Sequence, residues 1–211
     1  MHRSMTRFLI YSTFVVLFLG SCRSYQYPNA VGIRESHQQE LNSYYVDSTH
    51  TYVYRSQVQA FGKDVNGNLV IRTVAPDVHR VALLSDFGQT LLDVSVFPDR
   101  YVLHTAMADL NKKMLVKEVV HIFRALTERR YAQQALIFMD KQHYPVYTVD
   151  DRFYSMEERH LARIAVAKSG KERFLISFDD VQGKLPKKVM IEHKKYPLVM
   201  QLNLDKKQSV L

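Results

Sequence analysis

Apolar residues recur at every second position through most of the segment from residue 52 to residue 205. This alternation is typical of β-strands that bury one face and expose the other. The stretches between the alternating runs are short, which forces neighbouring strands to pair antiparallel. The pattern therefore predicts about 10 or 11 antiparallel strands. The predicted strands cover residues 52–62, 68–75, 80–87, 89–97, 100–107, 133–140, 144–150, 160–168, 172–180, 187–194 and 196–205.

Two dipeptides within this segment are interpreted as turns. Asn66-Gly67 is a strong hairpin signal because both positions favour positive φ angles, and Ser169-Gly170 joins the strands at 160–168 and 172–180. We therefore expect a hairpin tip at each of them.

Residues 111–130 have helical periodicity instead. Their apolar side chains recur at spacings of three and four and so share one face. These side chains are Leu115, Val119, Ile122, Phe123 and Leu126. Asn111 precedes them as a candidate N-cap. The segment is predicted to form one amphipathic helix of about four turns.

A sheet of this size must curl to bury one of its faces. It can close into a barrel, or it can stay open and be covered by the helix. The helix falls in the middle of the strand order, which favours the open form. The predicted fold class is mainly β: an antiparallel, strongly curved open half-barrel with one main amphipathic helix packed on the concave side.

The concave side of such a half-barrel, if side chains fill it incompletely, suits an acyl chain. The alternation and the helix stripe select the residues that would line this cavity. They are Val58, Leu92, Val94, Ile122, Phe123, Phe174, Phe178, Met200 and Leu202. The same side chains also suit an ordinary apolar core. Both interpretations stay open at this point.

The N-terminal segment has the pattern of a secretory signal. Arg3 and Arg7 precede an apolar run over residues 8–20, which is shorter than the roughly 20 residues of a membrane-spanning helix. The next step, Leu19-Gly20-Ser21-Cys22, resembles the lipobox of bacterial lipoproteins. That resemblance implies cleavage before Cys22, with diacylglycerol and an N-acyl lipid attached to Cys22 as a membrane anchor. The alternative is an ordinary signal peptide with a chance cysteine.

The chain therefore divides into four predicted segments. Residues 1–21 are a cleaved signal peptide, and residues 22–50 are a polar tether, with a short helix or a docked segment as an alternative near residues 35–44. Residues 51–205 are the β domain, and residues 206–211 are a C-terminal tail.

The order of five strands, a helix and further strands behind a lipobox resembles the Lol lipoprotein-localisation factors, LolA and LolB. Three stretches carry the resemblance: "LLSDFGQTLLDVSV" (83–96), "GKLPKKVMIEH" (183–193) and "YPLVMQLNL" (196–204). The resemblance covers most of residues 52–205 and implies an open half-barrel, lidded by helices, that shelters acyl chains. The tryptophans common in that family are absent from this chain.

Two features near Cys22 predict the location of the protein. The next residue is Arg23, whereas an aspartate at that position resembles a signal for retention in the inner membrane. No acidic cluster of the kind found in some surface-exported lipoproteins follows. We therefore expect a lipid-anchored protein of the bacterial outer membrane that faces the periplasm.

The composition and motifs argue against several function classes. Without residues 1–21 the chain has 27 basic and 21 acidic residues, a net charge of +6 that is spread over many segments. Secretion removes the protein from nucleic acid, and the histidines lack the spacing of a zinc site. No nucleophile motif is present, so we expect neither an enzyme nor a metal site, and no cofactor beyond the covalent lipid on Cys22.

Two functional hypotheses follow. The first is a non-enzymatic lipoprotein that binds or transfers an acyl chain, a lipid or a lipoprotein cargo. The second is a structural or assembly lipoprotein whose sheet is packed solid and which acts through protein contacts.

Overall fold

The computed structural model of the chain describes residues 25, 27, 33–35, 39–108, 110–132, 135–140 and 143–209. The predicted signal peptide and Cys22 lie outside the described residues. The described strands are β1 (Ile33–Glu35), β2 (Gln39–Asn42), β3 (His50–Ala60), β4 (Lys63–Ala75), β5 (Val78–Ser85), β6 (Thr90–Val96), β7 (Tyr101–Ala106), β8 (Arg130–Ala132), β9 (Ala135–Met139), β10 (Pro145–Val149), β11 (Arg152–Glu157), β12 (His160–Lys168), β13 (Lys171–Gln182), β14 (Leu185–His193) and β15 (Leu198–Ser209). One helix, α1 (Lys113–Thr127), is found in the same part of the chain.

Thirteen of the strands form one sheet, in the order β1-β9-β10-β11-β12-β13-β14-β15-β3-β4-β5-β6-β7, while β2 and β8 pair separately. Every pairing is antiparallel. The edge strands β1 and β7 do not pair with each other among the described residues, so the large sheet is open. The predicted fold class, an open antiparallel half-barrel with one main helix, is confirmed.

The structure has more strands than the alternation predicted. The additional strands are β1, β2, β8 and β11. The first three are only three or four residues long, too short to display a period. β11 is buried at its first five positions, so both of its faces are covered and its sequence does not alternate.

The hairpin tip predicted at Asn66-Gly67 is wrong. β3 and β4 are joined at Phe61 and Gly62, whose φ angles are 52° and 77°. Gly67 lies inside β4, where an added Cβ would stand 1.8 Å from the carbonyl oxygen of Leu84. The glycine is therefore required by the close approach of β5 and not by a turn.

The tip predicted at Ser169-Gly170 is confirmed. Both residues have positive φ angles, 53° and 74°, as a tight hairpin between twisted strands requires. The turn sets Lys168 directly opposite Lys171 in the β12–β13 pairing.

The helix begins later than its predicted cap. Lys112, not Asn111, occupies the N-cap position, with extended backbone and no side-chain cap hydrogen bond. Among the described residues, no helix has the length and apolarity needed to cross a membrane.

The predicted apolar stripe of α1 is correct in its second half and displaced by one position in its first. Val116 and Val120 are buried, whereas Leu115 and Val119 are only half-buried. The stripe residues of the second half are all buried: Ile122, Phe123 and Leu126. The inward face of the first half also carries Glu118, a residue that apolar periodicity cannot select.

Residues 39–50 belong to the domain and not to a tether. β2 pairs with β8, and both Leu41 and Tyr45 are buried in the main apolar cluster. Asn42 ties this segment to the helix, because its Nδ2 donates a hydrogen bond to the carbonyl oxygen of Leu126 at 3.0 Å. The tether interpretation is wrong here, and the docked alternative is what the structure shows.

The predicted start of the C-terminal tail is also displaced. β15 continues to Ser209, whose Cα pairs with that of His50 on β3. The β domain therefore extends past residue 205.

The two faces of the sheet carry separate apolar clusters. The main cluster fills the concave side beneath α1 and includes Tyr154 of β11. A smaller cluster on the opposite, convex face contains Val146, Phe153, Ala165 and Ala167. Adjacent residues of β11 thus point to opposite faces, as a strand requires.

Tyr25 and Tyr27 lie on this convex face. Their ring centroids stand 5.0 and 5.6 Å from that of Phe153. The Tyr27 hydroxyl is 2.8 Å from Ser155 Oγ, and the Tyr25 hydroxyl donates to Glu172 Oε2 at 3.2 Å. The tether interpretation therefore also fails at residues 25 and 27.

Candidate lipid-binding site

The nine residues predicted to line a lipid cavity lie together in the main apolar cluster beneath α1. None of them is more than 7% exposed. They are Val58 on β3, Leu92 and Val94 on β6, Ile122 and Phe123 on α1, Phe174 and Phe178 on β13, and Met200 and Leu202 on β15. Register places Val58 directly beside Met200, on the same face of the sheet. That an acyl chain contacts these residues stays a prediction.

Ser56 is an unpartnered polar group in this apolar interior. It shares the inward face of β3 with Tyr54 and Val58 and stands opposite Leu202 of β15. It is fully buried, and its hydroxyl has no hydrogen-bond partner among the described residues. Leaving a buried hydroxyl unpaired costs about 1–3 kcal/mol. The sequence analysis missed Ser56, although a lone serine on an otherwise apolar strand face is a signal that could have found it.

A buried carboxylate, Glu118, fastens the first half of α1 to the sheet. Its Oε1 accepts hydrogen bonds from Arg173 Nε at 2.6 Å and from His193 Nε2 at 2.8 Å, and its Oε2 pairs with Arg173 Nη2. His193 Nδ1 accepts from the backbone amides of Lys195 and Tyr196, at 3.0 and 2.9 Å. Because Nδ1 accepts these two hydrogen bonds, Nε2 is the ring nitrogen that donates to Glu118. We call Glu118, Arg173 and His193 the Glu118 latch.

The latch keeps Glu118 ionised inside the protein. Burial alone would raise the pKa of this carboxyl group, but the hydrogen bonds from Arg173 and His193 outweigh it and hold the pKa below its usual value. The Glu118 and His193 side chains are 5% and 0% exposed, while that of Arg173 is 28% exposed. One end of the latch thus reaches water.

Two further polar contacts hold the second half of α1. Arg124 donates to the carbonyl oxygens of Phe97 and Arg100, both at 2.9 Å, in the β6–β7 connection. Just beyond the helix, Glu128 accepts a hydrogen bond from Arg152 Nη1 at 2.5 Å. α1 therefore spans the concave opening, from β13 and β14 on one side to the β6–β7 connection on the other.

His121, also on α1, lies near the charged side chains of Arg173 and Arg152. Its ring packs edge-on against Phe174, with centroids 5.2 Å apart. Burial, helped by the positive charges of Arg173 and Arg152, lowers the pKa of His121 to about 4. The imidazole is therefore neutral at neutral pH.

Clefts open on the surface of the domain, and none of the nine cavity residues lines either of the two that are described next. One, of about 600 Å³, lies between the β12–β13 and β14–β15 turns, and we call it the basic cleft. Its lining residues are Lys168, Lys171, Glu172, Arg173, Lys194, Lys195 and Tyr196. The other, of about 290 Å³, lies beside β2 and is lined partly by Tyr44, Arg159 and Lys184.

The fold and this site together define an open antiparallel half-barrel whose concave face is closed by one latched helix. The chain matches no protein-family model and no curated protein. Among solved structures it is similar to a LolA superfamily protein from Nitrosomonas europaea, at 9% identity and a TM-score of 0.44, over 77% of this chain and 86% of that one. It is also similar to a domain from Vibrio parahaemolyticus assigned to outer membrane lipoprotein sorting, at 9% identity and a TM-score of 0.39, over 76% and 84%. These similarities concern overall architecture, and we base the functional proposal on this chain's own residues.

Proposed function

We propose that this protein is a non-enzymatic, lipid-anchored protein of the bacterial envelope that binds the acyl chain of a lipid or lipoprotein cargo beneath α1. The observation that carries the proposal is the helix over the concave face. It covers a continuous apolar interior, yet polar contacts hold it in place at Glu118, Arg124 and Glu128.

Polar latches suit a lid that must open. When α1 lifts, the groups of the Glu118 latch regain water, which offsets much of the hydrogen bonding that they lose. Opening also exposes the apolar side chains that α1 buries, among them Val120, Ile122 and Phe123, at about 25 cal/mol per Å². A bound acyl chain would cover part of that surface again. In the closed structure the nine cavity residues are buried, so an acyl chain reaches them only after α1 moves outward.

The unpaired hydroxyl of Ser56 gives the interior one polar anchor. An acyl ester or a carboxylic acid supplies oxygen atoms that can accept a hydrogen bond from it. Binding would then satisfy a group that the closed structure leaves without a partner among the described residues. Such a contact would orient the bound acyl chain, with its polar end near β3 and its hydrocarbon tail along the apolar cluster.

Anchoring at Cys22 is the second part of the proposal, and it is supported by the lipobox-like step at residues 19–22. Two or more acyl chains on one cysteine are enough for stable membrane attachment. Labelled palmitate fed to cells that make the protein should enter it, and the Cys22→Ser variant should remain unlabelled. Unlabelled wild-type protein would remove this part of the proposal.

Cargo binding is tested on the full chain carrying Cys22→Ser, which separates bound lipid from covalent lipid. Mass spectrometry of the purified protein should detect a copurified acyl lipid, or added palmitate retained through gel filtration. Protein that never retains lipid, even after partial opening in mild urea, would contradict cargo binding.

One observation favours the second hypothesis, a structural or assembly lipoprotein. All nine cavity residues are closed off from solvent, as in a solid core. In that case a pull-down would return a stable protein complex, and the purified protein would carry no lipid.

A further inference from the structure

The basic cleft concentrates positive charge that the protein does not neutralise. Five of its seven lining residues are cationic and one is a carboxylate. Lys168 and Lys171 stand directly opposite each other across the turn, and like charges in that position destabilise a hairpin. Lys194 and Lys195 occupy the neighbouring turn. The repulsion between Lys168 and Lys171 therefore does not help the hairpin to fold.

Three of these lysines have no carboxylate partner among the described residues: Lys168, Lys171 and Lys195. Lys194 does, with its Nζ 2.7 Å from Glu192 and 3.9 Å from Glu172. Elsewhere on the sheet, surface arginines are paired with carboxylates, in Arg55–Asp86, Arg80–Asp93 and Arg129–Glu40. Other surface cations, such as Lys113 and Lys187, also lack a carboxylate partner among the described residues. The cleft differs in that three such lysines line one concave surface, whose shape focuses the positive potential.

Arg173 connects the cleft to the Glu118 latch. Glu118 holds the Nε and Nη2 of its guanidinium group, which fixes the plane of that group before any ligand arrives. Nη1 has no partner among the described residues, and the side chain is 28% exposed. A fixed guanidinium group surrounded by ammonium groups matches the tetrahedral oxygens of a phosphate. The volume of about 600 Å³ lies in the usual range for a bound small molecule.

The chain near the predicted anchor passes beside this cleft. The Tyr25 hydroxyl donates to Glu172, which lines it. Cys22 precedes Tyr25 by three residues, a distance that an extended chain spans in at most about 11 Å. A lipid attached at Cys22 would thus enter the membrane close to the basic cleft.

From these observations we infer that the basic cleft binds a phosphate-bearing headgroup of the membrane that holds the Cys22 anchor. The inference rests on the anchoring part of the proposed function and does not require cargo beneath α1. Headgroup binding would fix the orientation of the domain on the membrane, with the β12–β13 and β14–β15 turns against the surface.

Binding of the full chain carrying Cys22→Ser to vesicles tests this site, because without the covalent lipid the anchor cannot hold the protein on the vesicle. The probes are phosphatidylcholine vesicles with and without phosphatidylglycerol, and soluble glycerol 1-phosphate as a competitor. Lys168→Gln/Lys171→Gln removes two charges from the cleft, and Lys187→Gln/Lys188→Gln removes two from β14 outside it. All the proteins share the same N-terminal segment, so any membrane contact made there is common to them.

We expect the Lys168→Gln/Lys171→Gln protein to bind phosphatidylglycerol vesicles about 30-fold more weakly than wild type, since each basic residue near an anionic surface contributes roughly a factor of five. The β14 control should stay within about twofold of wild type, because its lysines lie outside the cleft. Lys168→Arg/Lys171→Arg should restore binding, which shows that loss of folding is not the cause. Glycerol 1-phosphate should compete with the vesicles.

Equal losses in the two glutamine variants would overturn the inference, because net charge alone would then explain binding. Equal binding to both kinds of vesicle would overturn it as well. Direct binding of glycerol 1-phosphate in a calorimetric titration, without any vesicle binding, would assign the cleft to a free phosphate compound and overturn the membrane headgroup. Lipid retention under α1 should be unchanged in the same variants, and palmitate labelling should be unchanged when Cys22 is restored in them, so failure here is distinguishable from failure of the proposed function.

Discussion

Replacing Glu118 with glutamine should loosen the lid, and the structure sets the size of the effect. The change keeps the volume of the side chain but removes the charge that Arg173 and His193 share. Removing one partner of a buried ion pair costs about 3–5 kcal/mol. Arg173 is 28% exposed and can rehydrate, which lowers the expected loss of unfolding free energy to about 2–3 kcal/mol.

Glu192→Gln provides a matched control for this prediction. It makes the same chemical change on the surface, where Glu192 pairs with Lys194 at 2.7 Å and its side chain is 45% exposed. An exposed pair of this kind contributes about 0–1 kcal/mol. Urea unfolding at neutral pH measures both losses, and amide hydrogen exchange shows whether α1 opens faster in Glu118→Gln.

The pH dependence gives the same prediction a second readout. The pKa of Glu118 in the folded protein lies below its unfolded value, so its stabilising contribution is present above the unfolded pKa of about 4.3. The contribution disappears as the pH falls through the folded value, and wild type and Glu118→Gln should converge in acid. A Glu118→Gln protein as stable as Glu192→Gln at neutral pH, with unchanged exchange in α1, would refute the latch.

Three other substitutions test the remaining features. Ser56→Ala removes an unpaired buried hydroxyl, so it should raise the unfolding free energy by about 1 kcal/mol. It should also weaken palmitate retention, because a ligand would use that hydroxyl. A destabilised variant would show that the hydroxyl is paired. His121→Leu should flatten the pH dependence of stability. The wild-type imidazole has a pKa of about 4 in the folded protein and about 6.5 in the unfolded chain, so the wild-type protein loses stability as the pH falls between these values. An unchanged profile in urea titrations would contradict this. Gly67→Ala should lower the unfolding free energy by about 3 kcal/mol or more, because the added Cβ would collide with the Leu84 carbonyl oxygen. A thermal unfolding midpoint equal to that of wild type would rule out the close approach of β5.

The sequence was sufficient to predict the architecture because the fold is built from a local period. Alternation identifies a strand from its own residues, and short connections then dictate antiparallel pairing. The prediction from alternation failed where a strand is buried on both faces, because its sequence then has no alternating period. β11 is covered on both faces, and its side chains are buried whether they point inward or outward.

Turn chemistry was a weaker guide than strand pattern. Asn66-Gly67 has the stronger local preference for a hairpin tip, yet the chain turns at Phe61-Gly62. Gly67 lies inside β4, where it meets the Leu84 carbonyl of β5, so the residue serves the pairing of two strands and not a turn.

The polar parts of the site could not be predicted in the same way. Glu118 lies 55 residues from Arg173 and 75 from His193 along the chain, so only the folded sheet brings them together. The unpaired lysines of the basic cleft likewise come from two separate turns. Periodicity selects apolar faces, and it has no means of finding charges that meet across elements.

Photo-crosslinking of a diazirine-bearing fatty acid to the full Cys22→Ser chain is the most direct measurement of the central claim. The account predicts crosslinks on β3, β6, α1, β13 and β15, at or beside the nine buried cavity residues, and fewer of them in Ser56→Ala. Crosslinks confined to the convex face or the surface turns, or no crosslinked protein at all, would contradict an acyl-binding interior beneath the helix.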